Sequence, residues 1–172
     1  MEREISLSKH WKNWLSLEDE KRCPKCEKLH GKIYAITEKP IPTPPLHLWC
    51  RCKIAPMRAL SAGTATNKGV EGADWFLKYY GKLPDNYITI ERAKELGWEQ
   101  SKGNLADVAP ERMVTRSYHN NYGHLLIKAG RVWQEADINY ISGRRNSERI
   151  LFSDDGLIFV TYEHYKTFIE LK

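Results

Sequence analysis

The sequence predicts an α+β fold: helices packed on an antiparallel β-sheet, preceded by a small β-rich module that carries the cysteines. Three observations predict it. Helix signals punctuated by Gly81, Gly97 and Pro110 occupy residues 71–110, alternating apolar and polar residues dominate from about 113 onward, and all four cysteines fall before residue 53. Helices first and strands after them make an α+β domain rather than an alternating α/β one.

The first module opens on 1–10, which has no apolar core of signal-peptide length, and nothing in the chain approaches a membrane span. Short strands are expected around the cysteines, with His10, Trp11 and Trp14 packed on this small unit. Cys23-Pro24-Lys25-Cys26 and Cys50-Arg51-Cys52 are two clustered pairs separated by about two dozen residues. Such pairs can close a tetrahedral zinc site, which would staple a segment too short for a large core. Cys23, Cys26, Cys50 and Cys52 are therefore the expected ligands, with His47 as an alternative donor; two disulfides or free thiols are the other readings. Reduced thiols in a cytoplasmic setting would favour metal. His10 and His30 receive no role.

Leu60-Ser61-Ala62-Gly63-Thr64-Ala65-Thr66-Asn67 is small, polar and aperiodic, as linkers are. It divides the chain into modules at 1–66 and 67–172. Charge divides there too. Residues 1–66 carry 12 Lys and Arg against 7 Asp and Glu, whereas 67–172 carry 15 of each, so the net charge of +5 belongs to the first module. The basic balance is thus no argument for nucleic-acid binding by the second module, and Lys21, Arg22, Lys25 and Lys28 read as a solvated surface.

In the second module, 71–80 reads as a helix ended by Gly81, Pro84-Asp85-Asn86 as a turn, and Thr89 as the N-cap of a helix ending before Gly97. Asn104 to Ala109 is a short helix stopped by Pro110. Trp75, Phe76, Leu77, Tyr80, Leu96 and Trp98 are the expected core of this part. In Gln134-Glu135-Ala136-Asp137-Ile138-Asn139-Tyr140 alternation places Glu135, Asp137 and Asn139 on one strand face. Asp154-Asp155-Gly156 signals a hairpin between 149–152 and 157–160, which returns His164 past Arg145 and Arg149.

That set of residue types suits RNA cleavage, because RNA carries its own nucleophile in the 2′-hydroxyl. A carboxylate can take the hydroxyl proton, a histidine can protonate the departing 5′-oxygen, and arginines can hold the phosphate. A half-buried strand with a solvated charged face gives the same alternation.

Longer stretches go further. Lys82 to Thr89, Leu96-Gly97-Trp98, Ser101 to Pro110, Trp133 to Tyr140, Gly143 to Leu151 and His164 to Phe168 resemble the barnase-like, guanyl-preferring bacterial ribonucleases, from about Gly69 to the C-terminus. The resemblance implies Glu135 as general base, His164 as general acid, Arg145 and Arg149 as phosphate ligands, and Asp137 as a carboxylate that braces one of the two arginines. It implies an endoribonuclease that forms a 2′,3′-cyclic phosphate without a cofactor. The substrate-binding set expected with it is Asn120, Asn121, Tyr122, Tyr165 and Lys102.

Two positions depart from that family. Ile90 stands where the family has a lysine that stabilises transition-state charge, a loss that can cost roughly a hundredfold in rate. Arg144, Arg92 and Lys102 are candidate replacements. Tyr122 stands where the family reads guanine with a glutamate, which leaves base preference open; Tyr118, His119 and Tyr122 suit either base stacking or an ordinary surface loop.

Around the cysteines, Leu29 to Tyr34 and Pro44 to Cys52 resemble part of the phage minor head morphogenesis proteins of the Mu type, over about 35 residues. The pair of resemblances implies a polymorphic prophage toxin with RNA as substrate, phage capsid or portal proteins as contacts, and a barstar-like acidic immunity protein covering the phosphate site. Its target would be cytoplasmic, with delivery by a phage particle or as part of a larger toxin. The rival reading is a phage structural or interaction protein with a degenerate nuclease half. Ile90 favours the rival; the joint presence of Glu135, Arg145, Arg149 and His164 argues against it.

Overall fold

A computed structural model describes residues 5–121 and 123–172. In chain order it runs β1 (Ile5–Leu15), α1 (Pro24–Leu29), β2 (Ile33–Ala35), β3 (Lys53–Leu60), a 3-10 turn (Gly69–Glu71), α2 (Ala73–Tyr80), β4 (Tyr87–Thr89), α3 (Ile90–Glu95), α4 (Leu105–Val108), β5 (Met113–Arg116), β6 (Trp133–Asp137), β7 (Arg149–Ser153), β8 (Ile158–Thr161) and β9 (Ile169–Leu171). No described helix is long and apolar enough to cross a membrane.

Local chemistry sets most boundaries. Gly81 adopts φ 68° and its N–H reaches Leu77 O, closing α2 as a left-handed cap. The Thr89 side chain accepts from Arg92 N at 3.1 Å and starts α3. Gly156, at φ 91°, turns the β7–β8 hairpin, and Ser153 N donates to Leu157 O.

The strands form one mixed sheet in the order β2-β1-β3-β9-β8-β7-β6-β5-β4. This corrects the expected all-antiparallel sheet behind a separate small module. β4 pairs parallel to β5, which the helical stretch between them allows, and β3 pairs parallel to β9 through Ala59↔Glu170 and Leu60↔Leu171. The second pairing makes the N-terminal strands a continuation of the C-terminal sheet.

The segment expected as a linker is held at many points. Asp74, fully buried, accepts from Gly63 N, Ala65 N and Thr66 Oγ1 at 2.8–2.9 Å. Asn67 N donates to Asn139 Oδ1, and the Tyr162 hydroxyl donates to Ala65 O. Lys172 N donates to Leu60 O. Small residues serve here because the chain must approach a buried carboxylate closely.

Both faces of β7 and β8 are covered, so the half-solvated pattern gives way to nearly continuous burial. Ile150 and Val160 join a cluster with Leu60, Ala73, Leu77 and Leu171. Their neighbours Leu151 and Phe159 point the other way, into a cluster with Ile33, Met57, Leu125, Trp133 and Phe168. Ile33 and Met57 thus bring the first module onto the same face as Trp133 and Glu135; burying each stabilises the join by roughly 1.5–3 kcal/mol. Trp14 is buried as expected, but Trp11 packs edge-on against Phe159, 6.2 Å between ring centres, and His10 pairs with Glu170. Leu77 and Trp98 are core; Tyr80 and Leu96, expected there, are exposed. A third cluster holds Ile90, Ala93, Trp98, Leu105 and Val114.

Candidate active site

The face that receives the first module opens into a cleft of about 760 Å³. Glu135, Arg145, Arg149, His164 and Tyr165 line it, together with Arg116, His119, Asn120 and Asn121. The residues singled out from the pattern are therefore brought together, although they span two strands and two loops.

Glu135 and Asp137 lie on one face of β6, as alternation predicts, but neither is solvated: they are 5% and 0% exposed. Asn139 leaves that row. Its φ of 55° ends the strand, and its side chain donates to Glu148 while accepting from Asn67 N.

Asp137 binds both arginines. Arg145 reaches it in a two-pronged bond, Nε to Oδ2 at 2.7 Å and Nη2 to Oδ1 at 2.5 Å. Arg149, opposite Asp137 in the β6–β7 register, brings Nε to 3.0 Å from Oδ1 as a charge contact without hydrogen-bond alignment. Its Nη1 donates to Asn146 Oδ1 and Glu148 O. One carboxylate against two guanidinium groups leaves a net positive wall.

Glu135 has its own partners. His119 Nδ1 lies 2.6 Å from Oε2, the Tyr165 hydroxyl donates to the same oxygen at 2.8 Å, and Arg116 Nε is 3.5 Å from Oε1. Burial pushes this carboxyl up, but the bonds from His119 and Tyr165 and the nearby positive charge outweigh it and hold it below the usual value. Burial and the Glu135 charge push Tyr165 up to about 12, so it remains a donor at neutral pH.

His164 is exposed at the cleft edge. It and Tyr165 take φ of 51° and 68°, a conformation costing non-glycine residues on the order of 1–3 kcal/mol each. The loop is held by His164 N donating to Ser147 O and Tyr165 N to Thr161 Oγ1, and the two rings meet at a tilt of 53° with centres 4.8 Å apart.

The remaining expected residues distribute unevenly. Asn120 is exposed on the cleft; the Asn121 amide braces its own loop, accepting from Gly123 N and Leu125 N and donating to Leu125 O. Tyr122 lies outside the described residues. Lys102 is not brought to the cleft, since it pairs with Glu99 at 2.6 Å on an exposed turn. The other candidate replacements for the missing lysine also lie elsewhere: Arg92 pairs with Glu95 and Arg144 reaches Ser101 O, while Ile90 is buried in the third cluster. Arg116 and His119 are the groups the pattern missed as neighbours of Glu135. The β5–β6 register, Arg116↔Glu135, is what places Arg116, and it has no signature in either strand alone.

Far along the sequence, the cysteines converge as their spacing suggests. Cys23 Sγ and Cys26 Sγ lie 3.2 and 3.3 Å from His47 Nε2, and Cys26 Sγ lies 3.8 Å from Cys50 Sγ. Cys26, Cys50 and Cys52 form a second close trio, and no two are joined as a disulfide. Two sulfurs each 2.3 Å from a tetrahedral ion stand about 3.8 Å apart, the Cys26–Cys50 spacing, so the two trios that share Cys26 could hold a metal ion. The Cys26 N–H lowers the Cys23 thiol to about 7; burial opposes ionisation of Cys50, but N–H groups of Leu46 and Cys52 bring it to about 7 as well.

A buried carboxylate, a histidine at the rim and paired arginines facing one cleft are the equipment of an enzyme that works on phosphodiesters with side chains alone. A family model described as ribonuclease matches residues 77–172, and the chain belongs to that family. A second model, Phage Mu protein F like protein, matches residues 2–55. The ribonuclease of Heyndrickxia coagulans is 48% identical over 101 residues, covering 58% of this chain and 92% of that protein. The ribonuclease of Bacillus intermedius is 48% identical over 101 residues, of which the chain spans 62% of that protein's length.

Proposed function

We propose that this chain is a cofactor-independent endoribonuclease that cleaves single-stranded RNA by transesterification. Glu135 takes the proton of the 2′-hydroxyl, whose oxygen attacks the adjacent phosphorus. Arg145 and Arg149 hold the phosphate as its charge grows, and His164 protonates the leaving 5′-oxygen. The products are a 2′,3′-cyclic phosphate and a free 5′-hydroxyl. Hydrolysis of the cyclic ester runs with the two groups exchanged, His164 deprotonating water and Glu135 returning a proton.

The observation that carries this reading is the single cleft lined by all four side chains, with Glu135 held ionised inside it. Arg116, 3.5 Å from Glu135, is the cation best placed to stand in for the absent lysine at position 90. Asn120 and Tyr165 are the nearest candidates to contact a base, with Asn121 shaping the loop between them.

We assign 1–66 to a phage-head-like module and 67–172 to the nuclease, two units of different origin sharing one sheet. The first would bind structural zinc through Cys23, Cys26, Cys50 and Cys52 or His47. Exposed Leu48 and Trp49 beside these cysteines suit contact with a capsid or portal protein. The combination supports a prophage toxin neutralised by an acidic, barstar-like immunity protein whose carboxylates would meet the arginine wall.

Incubation of the intact chain with short RNAs in EDTA tests the catalytic reading. Cleavage leaving a cyclic phosphate, lost in Glu135→Ala and in His164→Ala, is the expected result. Failure to cut any dinucleotide step would overturn it in favour of a structural protein with a degenerate nuclease half.

A further inference from the structure

The cleft has a second wall, and it comes from the other module. Glu18, Arg22, Glu27 and His30 line the same cavity as the catalytic residues. They are fixed there by backbone. Ile33 N donates to His124 O at 2.9 Å, and a Cβ on Gly31 would stand 2.1 Å from Lys166 O, so only glycine lets the two chains approach this closely. Arg22, which reads from sequence as solvated, is only 18% exposed in its side chain and pairs with Glu18 and Glu27.

The two walls differ in sign. Arg116, Arg145 and Arg149 outnumber Glu135 and make the nuclease wall cationic, whereas Glu18 and Glu27 outnumber Arg22 on the other side. Phosphate oxygens favour the first wall. What then faces the second is the nucleobase, whose edge carries N–H donors.

His30 fixes the Glu18 carboxylate at the cleft wall. Ser16 N donates to its Nδ1 at 3.0 Å, and burial holds the ring below its usual pKa, so the neutral imidazole carries its proton on Nε2. That Nε2–H is shut off from solvent and lies 3.1 Å from Glu18 Oε1, so it holds this oxygen of the carboxylate rather than facing the cleft. Glu18 Oε2 stands 3.6 Å from Lys166 Nζ and 3.9 Å from Arg22 Nη1, contacts too long to use up its lone pairs. The carboxylate of Glu18 is therefore fixed by His30 through one oxygen and presents the other as an acceptor on the cleft wall, where a base amine can meet it.

We propose that the N-terminal module completes the substrate site, with Glu18, positioned by His30, forming a subsite for a nucleobase next to the scissile phosphate. A carboxylate acceptor there selects bases with an exocyclic amine over uracil. This rests on the reading of the cleft as an RNA site.

The test uses the full chain and non-cleavable oligonucleotides carrying 2′-deoxy sugars, with one position varied over the four bases and binding read by fluorescence anisotropy. Wild type should prefer an amine-bearing base over uracil by about tenfold, and Glu18→Gln should lose that preference while binding the uracil oligonucleotide as before. His30→Gln should weaken the same preference while binding the uracil oligonucleotide as before, and thermal melting checks that each variant folds. A wild-type profile without base preference, or one unchanged in Glu18→Gln, overturns the subsite. Parallel cleavage assays separate the two readings. Cutting with a profile indifferent to Glu18 sinks the subsite alone, and a Glu18-dependent binding preference without any cutting sinks the nuclease reading alone.

Discussion

His119 Nδ1 stands 2.6 Å from Glu135 Oε2, the same oxygen that receives the Tyr165 hydroxyl. One oxygen of the proposed base is thereby saturated, and the other, near Arg116, faces the cleft. Because these bonds hold the carboxyl below its usual value, the acid limb of a kcat/KM profile should fall below the range of an ordinary glutamate. Tyr165→Phe removes one lowering contact, so the limb should move to higher pH. The same sign applies to stability: a depressed folded-state pKa contributes at pH above the unfolded value and is lost as pH falls through the folded one. Kinetics of the two proteins from pH 3 to 8, together with melting curves, check both statements. Glu135→Gln should lower kcat by about 10²–10⁴-fold.

Asp137 should matter more for folding than for chemistry. It is fully buried between Arg145 and Arg149, so Asp137→Ala leaves two guanidinium groups without their counter-charge. Breaking such a group by removing one partner costs about 3–5 kcal/mol. Urea unfolding measures it, and a loss below about 1 kcal/mol would show that solvent compensates the arginines.

The cysteine cluster should bind about one zinc per chain in freshly purified, reduced protein, measured by elemental analysis. Cys26 belongs to both close trios, so Cys26→Ser should lower metal content more than Cys52→Ser. Chelation should lower the melting temperature of wild type and leave that of Cys26→Ser nearly unchanged.

Gly31 ties the N-terminal strands to the loop that carries His164. Its φ is 81° and its missing Cβ would meet Lys166 O, two residues from His164. Gly31→Ala should displace that loop, and misplacement by about 1 Å can cost on the order of a hundredfold in rate. A steady-state assay should show kcat falling together with thermal stability. Unchanged kcat would separate the first module from the chemistry.

Much of the site was legible in the chain. Glu135, Arg145, Arg149 and His164 announced themselves as residue types that RNA cleavage needs, and a turn at 154–156 brought them together. Thr89 and Gly81 marked helix ends because their own side chain, or lack of one, satisfies or permits the backbone there. The burial of Glu135 and Asp137 was not legible, because alternation records which face a residue takes and not what covers that face. Arg116 and His119 escaped for a related reason. They meet Glu135 only through the pairing of β5 with β6 and the loop that follows β5.

By itself, then, the sequence determined the local elements, the chemical kit and the convergence of cysteine pairs, since each depends on spacing within a short stretch or on residue type. The tertiary structure alone decided that β3 lies beside β9, across more than a hundred residues, and so made one sheet of two modules. It also decided that Glu18 and His30 face the arginines across a cleft. Small residues at 61–66 read as a linker from composition, yet they bind the buried Asp74 carboxylate beneath them. Contacts between distant segments depend on shape and on what remains to be buried after the local elements form, and neither leaves a period or motif in the chain.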